Sequence, residues 1–185
     1  MHSWVFLLRA VNLGARNKVS MPRLRSALAA AGLGDVSTYL QSGNIIARSP
    51  LPGADLPRLV RDVVADEFGV DTTVIARDVE QLRCAVAANP FATQADTRPH
   101  LVRVIFLAAE PAADRVAALS ADRALWQVGR VIGRHVYVDY VDGVHGNSRT
   151  AAFFERALRV QGTERNWRSV QALHKMAVAD GATTV

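Results

Sequence analysis

The sequence predicts an α+β fold: two ferredoxin-like β-α-β-β-α-β units, each with an appended helix, packed into one compact body. Three observations lead there. Apolar periodicities in the first half run strand, helix, strand, strand, helix, strand. The same order restarts after about a hundred residues. The strands that open the two halves, Trp4 to Leu8 and Leu101 to Leu107, are apolar on both alternating faces. A split βαβ unit covers only one sheet face with its own two helices, so the other face must meet the appended helix or the partner unit.

Taken in order, Trp4 to Leu8 is a doubly buried strand. Ser20 caps a helix that places Met21, Leu24, Leu28 and Ala31 on one face, with Pro22 in its first turn and Gly32 as its stop. Val36 to Gln41 and Asn44 to Arg48 are strands separated by Ser42-Gly43, a hairpin signal. Asp55 caps a second helix with Leu59, Val60, Val64 and Phe68 inward and Gly69 beyond its end. Thr72 to Ala76 is a short strand, and Asp78 to Ala88 is the appended helix. The polar stretch from Asn89-Pro90 to Pro99 reads as a linker, which divides the chain into units 1–89 and 99–185.

The second half repeats the plan. Leu101 to Leu107 is a strand, Pro111 to Leu119 a helix, and Leu125 to Val131 and Arg134 to Tyr140 are strands. A helix from Ser148 to Arg159 precedes an extended piece at Gln161 to Glu164. A last helix, capped by Asn166, runs to about Ala179.

Composition narrows the function classes. The chain is 50% hydrophobic and 21% charged, as in soluble globular proteins. No apolar run approaches the roughly 20 residues of a bilayer span, and the N-terminus lacks a charged n-region, so a cytoplasmic location with no membrane partner is expected. Cys84 is the sole cysteine, which excludes an intrachain disulfide and a cysteine-based zinc site. His2, His100, His135 and His174 form no i,i+4 pair and no H-E-x-x-H, so no metal is expected. Neither a Walker A loop nor G-x-G-x-x-G occurs, and no cofactor is expected. The net charge of +5 is carried by scattered arginines, with Lys18 and Lys175 the only lysines. A nucleic-acid partner would call for a basic stripe with interleaved aromatics, and only 6% of residues are aromatic.

Three polar segments stand out. Arg9 to Ser20 offers Arg9, Arg16 and Lys18, the amides of Asn12 and Asn17, and Gly14, all leading into a helix N-terminus, where free N–H groups and the helix dipole favour an anion. Gln41, Ser42 and Asn44 surround a tight turn. Arg165-Asn166-Trp167 opens the last helix, with Asn166 in capping position and Trp167 as an anchor. A further segment, Asp142 to Arg149, holds His145, Ser148 and Arg149 before a helix and could form a second anion cradle. Asp142, His145 and Ser148 spell the residue types of a triad, but three residues of one short loop rarely reach its geometry.

Leu7-Leu-Arg-Ala-Val-Asn-Leu-Gly14 with Lys18, Thr38-Tyr-Leu-Gln-Ser-Gly-Asn44 and Arg165-Asn-Trp167 together resemble a bacterial family known as domain of unknown function 1697. The resemblance runs nearly end to end. It implies a compact two-part α/β fold and carries no established activity. It also implies glycine where Ala10 stands and again near Ala15, and lysine where Arg149 stands, so this chain departs from the family pattern there. A planar guanidinium does not replace an ammonium like for like.

The reading that follows is a protein that binds a small anionic or phosphorylated ligand in a cleft made by segments 9–20, 41–44 and 165–167. Arg9, Asn12, Lys18, Gln41, Ser42, Asn44, Arg165 and Asn166 would contribute there, with Ser148 and Arg149 as further ligand-binding candidates. An enzyme acting on a phosphorylated or nucleotide-like substrate is the alternative, with Lys18, Arg9 and Arg165 stabilising charge but no evident base. A nucleic-acid-binding protein is the second alternative, without the aromatic pattern of an RNA-recognition sheet.

Overall fold

A computed structural model of the chain describes residues 1–141, 143 and 150–182. The first half contains β1 (His2–Leu8), α1 (Met21–Ala30), β2 (Gly34–Tyr39), β3 (Asn44–Ser49), α2 (Leu56–Phe68), β4 (Val74–Asp78) and α3 (Val79–Ala87). After α4 (Ala92–Thr97) come β5 (Val102–Leu107), α5 (Ala113–Ser120), α6 (Arg123–Val128), β6 (Gly129–Ile132), β7 (His135–Asp139), α7 (Ala151–Leu158), β8 (Gly162–Asn166) and α8 (Trp167–Ala182). Two four-stranded antiparallel sheets result, ordered β2-β3-β1-β4 and β6-β7-β5-β8. Both follow the β-α-β-β-α-β plan of a ferredoxin-like unit.

The chain divides into two compact units, one comprising Met1–Cys84 and the segment from Ala172 on, the other Ala85–Gln171. In the first unit, Phe6 and Leu8 of β1 pack with Leu24 and Leu28 of α1 and Val60 and Val64 of α2. Val5, Leu7, Ile46 and Ile75 alternate to the opposite sheet face and are buried as well. The doubly apolar strand therefore has the double burial its composition calls for.

The second unit repeats the layout. Ile105, Leu107, Val136 and Val138 pack with Phe154 and Leu158 of α7. Val104, Phe106 and Tyr137 are buried on the other sheet face, where the Tyr137 hydroxyl donates to the Ala85 carbonyl at 2.7 Å. Registers match between units. Val5 lies opposite Ile46 and Arg77 just as Val104 lies opposite Tyr137 and Arg165.

Several local expectations change. The stretch read as a linker holds α4, whose Ala95 is buried together with Phe91 before it. Leu125 to Val131, read as a strand, is helical up to Val128, because Asp122 caps a turn by accepting from the N–H groups of Ala124 and Leu125 at 3.0 and 3.1 Å. The strand begins only at Gly129. Ser20 and Asp55 occupy N-cap positions without making the side-chain cap. Strand β4 runs two residues later than its apolar pattern suggested, and Asp78 closes it by capping α3: its carboxylate accepts from the Gln81 N–H at 2.7 Å.

Candidate functional site

In the first unit the 9–20 loop is a closed structure. Arg9 is tied by its backbone: its N–H donates to the Thr73 carbonyl at 3.0 Å, and its carbonyl accepts from the Thr72 hydroxyl at 2.6 Å. Asn12 adopts a left-handed backbone with φ of 55°. Its amide nitrogen donates to the carbonyls of Val19 (2.9 Å) and Gln41 (2.8 Å), and its amide oxygen accepts from the Val19 N–H (2.9 Å). Asn17 donates to the Ala10 carbonyl at 3.0 Å. One side chain, Asn12, thus spans the loop and ties it to the hairpin turn.

The turn is built to receive it. Asn44 is fully buried, and its amide donates to the Tyr39 carbonyl at 3.0 Å and to the Ser42 hydroxyl at 2.9 Å. The Leu8 N–H donates to the Gly43 carbonyl at 2.8 Å, joining the end of β1 to the same turn. Segments 9–20 and 41–44 are therefore brought together.

Among these residues the side chains of Arg16, Lys18 and Gln41 are exposed and make no hydrogen bond or ion pair with a described residue. Helix α1 starts beside them with no side-chain cap and no acidic residue in its first turn. Its N-terminal N–H groups and the positive end of its dipole stand next to Lys18.

Arg165 and Asn166 belong to the second unit. Arg165 is buried, and its guanidinium donates to the Thr163 hydroxyl and the Glu164 carbonyl, both at 2.8 Å. Burial lowers its pKa to about 10, against the opposing pull of Glu164, so it stays charged at neutral pH. Asn166 caps α8 by accepting from the Ser169 N–H at 2.9 Å, and Trp167 is buried, its N–H donating to the Pro99 carbonyl. Ser148 and Arg149, with Asp142 and His145, lie outside the described residues.

Two features escaped sequence reasoning. The first is Arg77, buried to 1% exposure at the position in β4 that Arg165 holds in β8, and donating likewise to the carbonyl of the residue before it. The signal was there: Arg77-Asp78 and Arg165-Asn166 are the same kind of dipeptide at the same point of the repeat. The second is a charged cluster in the second unit. Arg98 reaches Asp139 at 2.6 Å, Arg103 reaches Glu164 at 3.1 Å, and the Tyr140 hydroxyl donates to Glu164 at 3.0 Å. Burial raises the pKa of Asp139, opposed by Arg98; burial and Glu164 raise that of Tyr140. Its contacts join residues from three separate stretches of the chain, too far apart for any spacing rule to find. Among the described residues no group of three His, Cys, Asp or Glu side chains could hold a metal ion, and no helix is long and apolar enough to cross a membrane.

These features define an α+β protein of repeated ferredoxin-like halves with a cross-tied polar loop after its first strand. Residues 1–137 match the family described as protein of unknown function (DUF1697), and the chain belongs to that family. It is similar in structure to the conserved bacterial protein SP0830 from Streptococcus pneumoniae, with a TM-score of 0.70 and 22% identity over 96% of this chain and 99% of that one. That likeness shows a shared fold. No curated protein matches the sequence.

Proposed function

We propose that the protein binds a small anionic ligand, of the phosphorylated-metabolite class, on the 9–20 loop where it meets the 41–44 turn. The observation that carries this reading is the tie of Asn12 to Val19 and Gln41, which orders a loop whose Arg16, Lys18 and Gln41 side chains remain exposed and unengaged by described residues. Ordering a polar loop costs conformational entropy, and an anion seated on Lys18 and the α1 N-terminus would draw on that order. Asn12, Ser42 and Asn44 act here as positioning residues, and Arg9 anchors the loop through its backbone.

The test is calorimetric titration of wild type, Lys18→Ala, Gln41→Ala and Arg165→Ala with inorganic phosphate, sugar phosphates and nucleotides. A charge-assisted contact is worth about 1.5–3 kcal/mol, so Lys18→Ala weakens binding at least about tenfold. The Arg165→Ala arm reads whether that arginine also serves the ligand. Failure of every panel member to bind folded wild type overturns the proposal.

A further inference from the structure

The most exposed large hydrophobic side chain among the described residues is Leu13, at 67%, and Leu40 is 58% exposed. Both lie in the loop and turn of the first unit, and hydrogen bonds bring the segments that carry them together. Leu13 opens a tight turn, its carbonyl accepting from the Arg16 N–H at 3.3 Å, and the Asn12 N–H donates to the Asn17 carbonyl at 2.9 Å around it. Gln41, next to Leu40, accepts the side-chain amide of Asn12 on its carbonyl at 2.8 Å. Each leucine therefore adjoins one partner of the same hydrogen bond, with Arg16 and Lys18 a few residues along the loop.

Single exposed apolar residues are ordinary on a protein surface, but Leu40 is not explained that way. Its backbone is left-handed, with φ of 57°, a conformation that penalises a residue with a Cβ. The corresponding hairpin of the second unit meets the same demand with glycine, Gly133 at φ of 54°. Leucine at position 40 thus gains neither burial nor backbone ease, and the fold does not call for it. The charge around the two leucines has one sign. Segments 9–20 and 40–44 contain no acidic residue, and the side chains of Arg16 and Lys18 are unengaged by described residues. Apolar surface beside uncompensated cations complements a molecule that is anionic at one end and apolar at the other.

Building on the anion site proposed above, we infer that its ligand is a phosphate monoester with an apolar substituent, the phosphate on Lys18 and the substituent over Leu13 and Leu40. Hexyl phosphate and glycerol phosphate, monoesters of equal charge, are the probes, titrated into the full chain by calorimetry. Hexyl phosphate should bind about tenfold more tightly, the factor expected from covering part of its chain. The double variant Leu13→Ser/Leu40→Asn should bring the two affinities to within about twofold of each other. Both positions are exposed and asparagine suits a left-handed backbone, so the substitutions spare the fold. Lys18→Ala should weaken both esters together. Equal affinity of wild type for the two esters, or a preference that survives the double substitution, overturns this inference and leaves the anion site standing. If neither ester binds folded wild type, the anion site falls and this inference with it, and binding confined to vesicles of phosphatidic acid would overturn it in favour of a lipid contact.

Discussion

Replacing Gly43 by alanine tests whether the hairpin turn is as tightly packed as its hydrogen bonds indicate. Gly43 has a φ of +72°, and a Cβ placed on it would lie 2.6 Å from Val11 Cγ2 and 2.7 Å from Leu8 Cβ. Two penalties add. The left-handed backbone costs an L-residue about 1–2 kcal/mol, reduced by roughly 0.5–1 kcal/mol because alanine also restricts the unfolded chain. Both clash partners are themselves buried, and overpacking a buried contact costs about 1–3 kcal/mol. The sum is roughly 1–4 kcal/mol. The repeat supplies a control. Gly133 lies in the corresponding hairpin with a φ of +54°, and a Cβ there would meet nothing within 4 Å. Gly133→Ala should therefore cost only the backbone penalty, roughly 1 kcal/mol. Urea denaturation of both variants, with unchanged slopes, measures the difference. If Gly43→Ala is no more destabilising than Gly133→Ala, the turn is not in close contact with β1 and the assignment of this glycine to packing is wrong.

Ala10 has a φ of 54°, so Ala10→Gly should leave stability unchanged or raise it by up to about 1 kcal/mol, whereas Ala10→Val should lower it; a glycine variant clearly less stable than wild type would contradict the strain. Asn12→Ala removes the tie between loop and turn and should cost about 1–3 kcal/mol, with faster amide exchange at Val19 as the local readout. Trp167→Ala, at a side chain 4% exposed, should cost about 3–5 kcal/mol, and Phe68→Ala less because that ring is half-buried; equal losses would misplace one of them. Asp139 has a pKa raised by burial, so the native state holds its proton at a pH where the unfolded chain has released it. Its contribution to stability is therefore full below the unfolded aspartate value and falls as pH rises through the folded one. The stability of wild type relative to Asp139→Asn should decline across that window in denaturation at stepped pH, and a rise would show a depressed pKa instead.

Much of the fold could be read because it depends on periodicity. Trp4 to Leu8 had to be buried twice, and Met21, Leu24 and Leu28 had to share a helix face; all three of these are buried in α1. What periodicity missed was settled by single polar contacts. Leu125 to Val131 is apolar enough for a strand, yet the carboxylate of Asp122 nucleates a helical turn there. The candidate loop was visible as a density of polar residues, but composition could not tell which of them the loop itself consumes. Asn12 spends its amide on the Gln41 carbonyl, a choice fixed by the approach of two segments 29 residues apart, and Asn44 spends its own on the Tyr39 carbonyl within the hairpin, while the side chains of Lys18 and Gln41 do neither.

The repeat separates what the fold requires from what it does not. A feature present in both units at the same register answers a need of the unit itself. The buried arginine one residue before a capped helix is such a feature, Arg77 with Asp78 in one sheet and Arg165 with Asn166 in the other. A buried guanidinium is expensive to desolvate, and keeping it twice points to a structural role. In each last strand it binds the carbonyl of the preceding residue, where strand passes directly into helix. Features found once are different. Twelve residues, 9–20, connect β1 to α1, whereas five, 108–112, suffice between β5 and α5. The seven additional residues serve no need of a ferredoxin-like unit, and the chain still invests Asn12 in ordering them and leaves Lys18 exposed near their end. The proposed anion site rests on this ordered excess and its unengaged cation, so it is the 9–20 loop, ahead of Arg165, that ligand screening should address.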